Sequence, residues 1–178
     1  NDDSSVSFSY NISDGTASVA GSASMDITGV NNAPVTSPVT LTAIAEDSGV
    51  RVITQGQLLG NASDVDNVNL TATNLAIASG NGSLVDNLDG TWSYTPALND
   101  DSSVSFSYNI SDGTASVAGS ASMDITAVND APVTSPVTLT AIAEDSGARL
   151  ITQAQLLGNA SDVENNPLTA TNLTITSG

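Results

Sequence analysis

Aspartate, glutamate and asparagine residues recur between the strand-like segments of this sequence, and the chemistry open to them is oxygen ligation of a cation. The sequence holds 19 Asp and Glu residues against two Lys and Arg, with no His and no Cys. Ca²⁺ takes six to eight oxygen ligands from carboxylates, amides and backbone carbonyls, whereas zinc, copper and iron favour His or Cys. The string Asp64-Val65-Asp66-Asn67 has the spacing of an oxygen-ligand loop. A polar turn closed by its own side chains is the alternative interpretation.

The net charge of −17 argues against nucleic acid and anionic membranes as partners, because both are bound through Lys and Arg. No apolar run is long enough to insert into a membrane. Acidity that serves only solubility is the alternative to cation binding. Without His, Cys or Lys, a carboxylate pair is all that remains for acid–base catalysis, and we expect no enzymatic activity.

A repeat organises the sequence. Residues 1–80 recur as residues 99–178 with ten substitutions, which gives a period of 98 residues, and residues 81–98 occur once. Such a period is typical of a tandem array of small domains. We expect the C-terminal part of one repeat in 1–32, a complete repeat in 33–130 and the N-terminal part of the next in 131–178.

Alternation of apolar and polar residues predicts an all-β fold. Val104, Phe106, Tyr108 and Ile110 alternate with Ser and Asn, the period of a half-buried strand. Asp-Gly pairs, a strong hairpin signal, separate several such segments. One helical turn is expected after Thr54, a suitable N-cap. The repeat then has about seven strands, at 37–45, 50–54, 69–78, 83–87, 91–95, 103–111 and 115–128. This pattern is typical of an immunoglobulin-like, cadherin-like β-sandwich, and we expect the repeats to form a linear rod.

If successive strands alternate in direction, nearly every acidic residue falls at a pole of the sandwich, beside a joint between repeats. Five to seven carboxylates and carbonyls at one joint repel each other without a cation, so we predict Ca²⁺ there. The predicted ligands of the first joint are Asp2, Asp3, Asn31, Asn32, Asp64, Asp66 and Asp112. Those of the second are Glu46, Asp47, Asp100, Asp101, Asn129, Asp130, Asp162 and Glu164.

The joints themselves are short. Val30–Pro34 and Val128–Pro132 separate the repeats, and each proline biases the preceding residue toward an extended backbone. Stiff connections between neighbouring repeats of the same chain are therefore expected.

Four segments carry a resemblance to a known family: 45–48 (AEDS), 58–66 (LLGNASDVD), 87–96 (NLDGTWSYTP) and 128–132 (VNDAP). They are similar to the cadherin-like extender repeats of giant repeats-in-toxin adhesins of bacteria, including marine ice-binding adhesins. The resemblance implies Ca²⁺-bound β-sandwiches, type I secretion, an extracellular position on the bacterial surface, and a spacer role that projects a distal ligand-binding region. The family often has Gly and an acidic residue after the Asp-x-Asp run, where Asn67-Val68-Asn69 stands here.

The alternative function is a carbohydrate- or protein-binding sandwich that contributes directly to adhesion. Trp92 or Tyr94 would then form an exposed stacking platform. A small core needs both aromatic rings, however, and their shared strand face favours burial. The ligand of the parent protein is unknown from the sequence.

Overall fold

A computed structural model of the chain describes residues 4–176 and divides into two compact units, Asn1–Thr126 and Ala127–Gly178. About 44% of the residues lie in strands and 5% in helices. The all-β, cadherin-like sandwich expected from the sequence is confirmed.

The first unit begins with a hairpin and continues into a sandwich. The hairpin consists of β1 (Ser4–Ser13) and β2 (Ser18–Ile27). The following elements are β3 (Val35–Thr36), β4 (Val39–Ala45), β5 (Arg51–Thr54), α1 (Gln55–Leu58), β6 (Ala62–Ser63), β7 (Thr71–Ser79), β8 (Ser83–Asp86), β9 (Thr91–Thr95), β10 (Val104–Ser111) and β11 (Ser116–Thr126). The seven predicted strands correspond to β4, β5 and β7–β11, with ends that differ by up to two residues.

Two sheets form the sandwich. One has the strand order β4-β11-β10-β7 and the other the order β5-β9-β8, while β3 and β6 form a short additional pair. All pairs are antiparallel except β4 with β11, which is parallel. These directions agree with strands that alternate along the chain, since β4 and β11 both run toward the same pole.

Alternate residues of the strands build the core. Val104, Phe106, Tyr108 and Ile110 on β10 are all buried. Phe106 packs edge-to-face on Tyr94 of β9, with ring centroids 5.4 Å apart. This geometry is favourable for aromatic pairs, and it joins the two sheets across the core.

The single helical turn lies against the edge of the larger sheet. Thr54 caps it, as the sequence led us to expect, and Gln57 completes a capping box. The Gln55 side chain donates to the carbonyl of Ala72 (2.8 Å) and accepts from its amide (2.7 Å), in the manner of a neighbouring strand. The Tyr108 hydroxyl donates to the Leu58 carbonyl (2.8 Å) and holds the turn on the core.

The second unit repeats the sequence of 33–80 in residues 131–178 with eight substitutions, but it has fewer strands. It contains β12 (Val133–Thr134), α2 (Gln153–Leu156) and β13 (Ala160–Ser161), with β12 paired to β13. Among the described residues, the segments equivalent to β4, β5 and β7 are not strands. In the first unit these three strands pair with β11, β9 and β10, so their strand conformation depends on partners outside the segment.

Candidate metal site at the pole of the sandwich

The loop after β6 holds a carboxylate, Asp64, one oxygen of which is buried. Asp64 Oδ1 accepts hydrogen bonds from the amides of Asp66 (2.7 Å) and Asn67 (2.8 Å), which close a tight turn. Asp64 Oδ2 is buried and has no hydrogen-bond partner. A buried charged oxygen without a partner is costly, and a cation would satisfy it.

The β10–β11 turn brings a second carboxylate to this pole. Asp112 is buried; its Oδ1 accepts from the amides of Thr114 (2.7 Å) and Ala115 (2.6 Å). Its Oδ2 accepts from the Asn31 side chain (2.9 Å). The hydrogen bond from Ala115, followed by those from Asn31 and Thr114, holds the pKa of Asp112 below its ordinary value. The charged form is therefore the one that this site holds at neutral pH.

The linker joins the two acidic loops. The Asn32 amide donates to Asp66 Oδ2, and the Asn31 side chain also donates to the Asn32 carbonyl (2.8 Å). The Asn67 side chain donates to the Asp112 carbonyl (2.6 Å). We call these six residues the upper group: Asn31, Asn32, Asp64, Asp66, Asn67 and Asp112. Amides and backbone N–H groups connect its carboxylates, and among residues 4–176 no three acidic side chains already converge on one point.

Oxygens of the upper group fit a hard cation. Three carboxylates and three side-chain amides with neighbouring carbonyls are the donors that Ca²⁺ prefers. A half-turn of the Asn31 amide would direct its oxygen, rather than its nitrogen, toward Asp112. The donor set therefore suits Ca²⁺. In the structure, carboxylate oxygens of Asp66 and Asp112 that would bind the ion accept hydrogen bonds from Asn32 and Asn31 instead.

Acidic residues at the opposite pole form a second group within the same unit. The Glu46 amide donates to the Thr126 carbonyl (2.9 Å) at the ends of the parallel strands β4 and β11, and the Glu46 side chain is buried. Asp47 Oδ1 accepts from the Asn99 amide (3.2 Å). Both Asp47 and Asn99 have a positive φ, at 56° and 53°, which Asn and Asp adopt more readily than most residues.

Asp100 and Asp101 follow in the same loop. Asp100 accepts from the Ser102 amide (2.9 Å) and from the side chain of Asn81. The contacts with Ser102, and then the one with Asn81, lower the pKa of Asp100. Asp101 is exposed. We call Glu46, Asp47, Asn99, Asp100 and Asp101 the lower group.

The second unit repeats part of the upper group with altered residues. The Asp130 amide donates to Glu164 (3.3 Å), as the Asn32 amide does to Asp66. Asp162 Oδ1 accepts from the Asn166 amide (3.0 Å), and the Asn166 side chain donates to Asn129 (3.1 Å). These contacts again tie a linker to the acidic loop that follows α2.

The predicted ligands thus fall into three local groups in the described residues. The upper group joins Asn31 and Asn32 to Asp64, Asp66 and Asp112. The lower group holds Glu46, Asp47, Asp100 and Asp101, and the second unit holds Asn129, Asp130, Asp162 and Glu164. Asp2 and Asp3 lie outside the described residues. Whether any of these residues binds metal stays a prediction.

Three asparagines of the first unit that were not among the predicted ligands contact residues that were. Asn67 contacts Asp112, Asn81 contacts Asp100 and Asn99 contacts Asp47. The position of Asn67 directly after the Asp-x-Asp run was a signal for the first. The contact between Asn81 and Asp100 joins side chains 19 residues apart in the chain, and the sequence has no signal for it.

The aromatic residues considered for ligand binding lie in the core. Trp92 and Tyr94 are buried, and the Tyr94 hydroxyl donates to the Asn81 carbonyl (2.6 Å). Burial, and then the charge of Asp100, raises the pKa of Tyr94. Neither ring is available as a stacking platform, so this structure does not favour the carbohydrate-binding alternative.

Comparison with known proteins identifies the family. The sequence matches the cadherin-like domain family over residues 30–126 and 128–178, and the chain belongs to this family. No curated protein matches it. None of the described helices is long and apolar enough to span a membrane.

Several solved structures are similar to part of this chain. The endo-fucoidan hydrolase MfFcnA4 of glycoside hydrolase family 107 is 24% identical over 77% of this chain, with a TM-score of 0.37. The related hydrolase MfFcnA9 is 21% identical over 69% of the chain, with a TM-score of 0.34. A chimeric titin Z1Z2 is 10% identical; the alignment covers 68% of this chain and 62% of that one, with a TM-score of 0.26.

These relatives correct one expectation. The absence of His, Cys and Lys led us to expect a protein without enzymatic activity, yet the similar structures include endo-fucoidan hydrolases. That expectation is contradicted and we withdraw it. The chain spans 22% of each hydrolase, and likeness at these TM-scores carries no assignment of their activity to this chain.

Proposed function

We propose that this chain is an extender segment of a bacterial surface adhesin in which Ca²⁺ fixes each linker to the pole of the next sandwich. The adhesin would be secreted by the type I route and would project a distal ligand-binding region from the cell. The observation that carries the calcium part is the buried, unpartnered oxygen of Asp64 beside the linker and the β10–β11 turn. The family membership supports a modular adhesion or extension role.

The upper group explains how a cation would stiffen the chain. The linker residues Asn31 and Asn32 already contact Asp112 and Asp66, which belong to two different loops. A cation bound by Asp64, Asp66 and Asp112 would neutralise the repulsion among them and replace weak contacts with ligand bonds. Bending at the linker would then require those bonds to break.

The calcium concentration is low in a cytoplasm and higher outside a cell, and this difference would affect export of the chain. Without the ion, repulsion among carboxylates weakens the pole and favours the unfolded chain. With it, binding stabilises the folded state, by about 2.7 kcal/mol when free calcium is 100 times the dissociation constant. The rod would stiffen only after secretion.

Thermal unfolding in calcium and in excess chelator tests this function. Trp92 is the only tryptophan in the sequence and is buried in the complete sandwich, so its fluorescence follows that repeat alone. We expect calcium to raise the melting temperature of the repeat by about 10 °C or more, from the binding energy above and about 4–8 °C per kcal/mol.

A matched pair of variants assigns the effect to the upper group. Asp112→Asn removes a proposed ligand, whereas Asp14→Asn changes the equivalent turn of the N-terminal hairpin, where Asp14 accepts from Thr16 (2.8 Å) and Ala17 (2.7 Å) in the same way. Asp112→Asn should lose most of the calcium-dependent gain and Asp14→Asn should keep it. Equal gains in both variants would contradict calcium binding at this pole.

A further inference from the structure

The turn between β7 and β8 holds a pair of residues that is susceptible to a spontaneous reaction. Asn81-Gly82 is the single Asn-Gly pair in the sequence. In such a pair the backbone nitrogen of the glycine can attack the side-chain carbonyl carbon of the asparagine, because glycine has no side chain to hinder the approach. Both residues are exposed, so water reaches the turn.

The reaction is a deamidation that consumes only water. First, the Gly82 nitrogen bonds to Cγ of Asn81 and gives up its proton, while the bond from Cγ to Nδ2 breaks and ammonia leaves with that proton. The product of this step is a cyclic succinimide. Water then adds to one of the two succinimide carbonyls and opens the ring, which leaves aspartate or isoaspartate at position 81. Nothing is oxidised or reduced.

The shape of the turn requires the glycine that makes the pair reactive. Gly82 has φ +126°, and a Cβ there would lie 2.6 Å from the Thr95 carbonyl oxygen. A side chain at this position would therefore strain the backbone and collide with β9. The pair cannot be replaced at Gly82 without cost to the fold, and its reactivity belongs to the structure of the turn.

The contacts of Asn81 show what the new carboxylate would face. The side-chain nitrogen of Asn81, which is the atom that leaves as ammonia, donates to a carboxylate oxygen of Asp100. Deamidation replaces this donor with an oxygen, so a hydrogen bond becomes a contact between two carboxylates. Isoaspartate also reroutes the main chain through the β carbon, at the residue whose carbonyl accepts from the Tyr94 hydroxyl (2.6 Å).

The charge around this contact makes the exchange unfavourable. Contacts with Ser102, and then the one with Asn81, lower the pKa of Asp100, so Asp100 is ionised at neutral pH. Asp101 follows it directly in the lower group. The new carboxylate adds a negative charge to a chain whose net charge is already −17, and like charges in contact destabilise a fold.

We propose that Asn81 is a site of spontaneous deamidation, and that the carboxylate formed there loosens the pole of the repeat that holds the lower group. The modified repeat has lost the hydrogen bond that ties the β7–β8 turn to the loop before β10. Its stability therefore falls as the protein ages.

Peptide mass spectrometry of the 178-residue chain, incubated in chelator and sampled over time, tests the site. We expect Asn81 to convert faster than any other asparagine, to a mixture of aspartate and isoaspartate. The rate should rise with pH, because the attacking nitrogen must lose its proton. Asn81→Gln, whose longer side chain closes the ring less readily, should convert much more slowly at this position. An Asn81 that remains intact, or converts no faster than the other asparagines, would overturn the proposal.

Three variants test the effect on the fold through the Trp92 melting transition, again in chelator. Asn81→Asp reproduces one product and should lower the melting temperature by about 4–8 °C, the shift expected for the loss of about one hydrogen bond in a domain of this size. Asn81→Asp combined with Asp100→Asn exchanges carboxylate and amide, so it should recover most of this loss. Asn81→Asp combined with Asp101→Asn removes the same charge without restoring the contact and should recover less.

An unchanged melting temperature in Asn81→Asp would overturn the proposed effect on the fold, and so would equal recovery in the two double variants. Because every measurement is made in chelator, these results are independent of calcium binding at the upper group.

Discussion

Removal of the same phenyl ring from the two copies of one strand should destabilise the complete repeat strongly in one case and hardly at all in the other. Phe106 is 1% exposed and packs on Tyr94, while Phe8, in an identical sequence, is 47% exposed. Truncation of a buried Phe to Ala typically costs 3–5 kcal/mol. Phe106→Ala should therefore destabilise the complete repeat by about 4 kcal/mol, a large share of the 5–15 kcal/mol that stabilises a typical domain.

The assay is thermal or urea unfolding followed by the fluorescence of Trp92. At about 4–8 °C per kcal/mol for a domain of this size, Phe106→Ala should lower the melting temperature by about 16–32 °C. Phe8→Ala, which serves as the control, should lower it by less than about 4 °C. Similar losses in both variants would refute the conclusion that one hairpin is covered by the sandwich and the other is not.

Two further predictions concern the backbone and the acidic pole. Gly82 has φ +126°, and a Cβ there would lie 2.6 Å from the Thr95 carbonyl oxygen, so Gly82→Ala should lower the free energy of unfolding by about 2 kcal/mol or more. Gly49 has φ +81° and open space around it, so Gly49→Ala should lower it by about 1 kcal/mol. The midpoints of urea unfolding would show this difference. The lowered pKa of Asp112 stabilises the fold fully above the unfolded carboxyl pKa of about 4, and this contribution is lost as pH falls through the lowered value. In chelator, the difference in stability between wild type and Asp112→Asn should therefore shrink toward low pH, and a constant difference would contradict this role.

Local pattern was sufficient to predict the strands of the complete repeat. The alternation of Val104, Phe106, Tyr108 and Ile110 defines one face of β10, and the Asp112-Gly113 pair sets the turn that follows. Both signals lie within a few residues, and the helical turn after Thr54 is equally local. Predicted and observed elements therefore agree closely in 33–126.

The same pattern failed to indicate which copies of the sequence form strands. Residues 39–45 are strand β4, yet their equivalents in the second unit are not a strand. The partner of β4 is β11, about 80 residues away along the chain. Pairing across such distances depends on which segments are present to meet, which a local pattern does not contain.

The sequence predicted which residues of the candidate site share a pole, but not the directions of their side chains. Strand direction alone placed Asp64, Asp66 and Asp112 at one pole with the linker, and the contacts of Asn31 and Asn32 agree. The position of Asn67 after the Asp-x-Asp run was a signal in the sequence, but its contact with Asp112 and the burial of Asp64 Oδ2 depend on side-chain directions within a turn, which the structure shows.

Calcium binding at the upper group can be tested in a crystal structure of the chain grown in calcium, with anomalous scattering recorded at long wavelength. We expect an anomalous peak at the upper group, with six to eight oxygens at about 2.3–2.6 Å that include Asp64 Oδ2 and a carboxylate oxygen of Asp112. A well-ordered pole with no anomalous peak, and with Asp64 Oδ2 bound to water or to a protein donor, would contradict it.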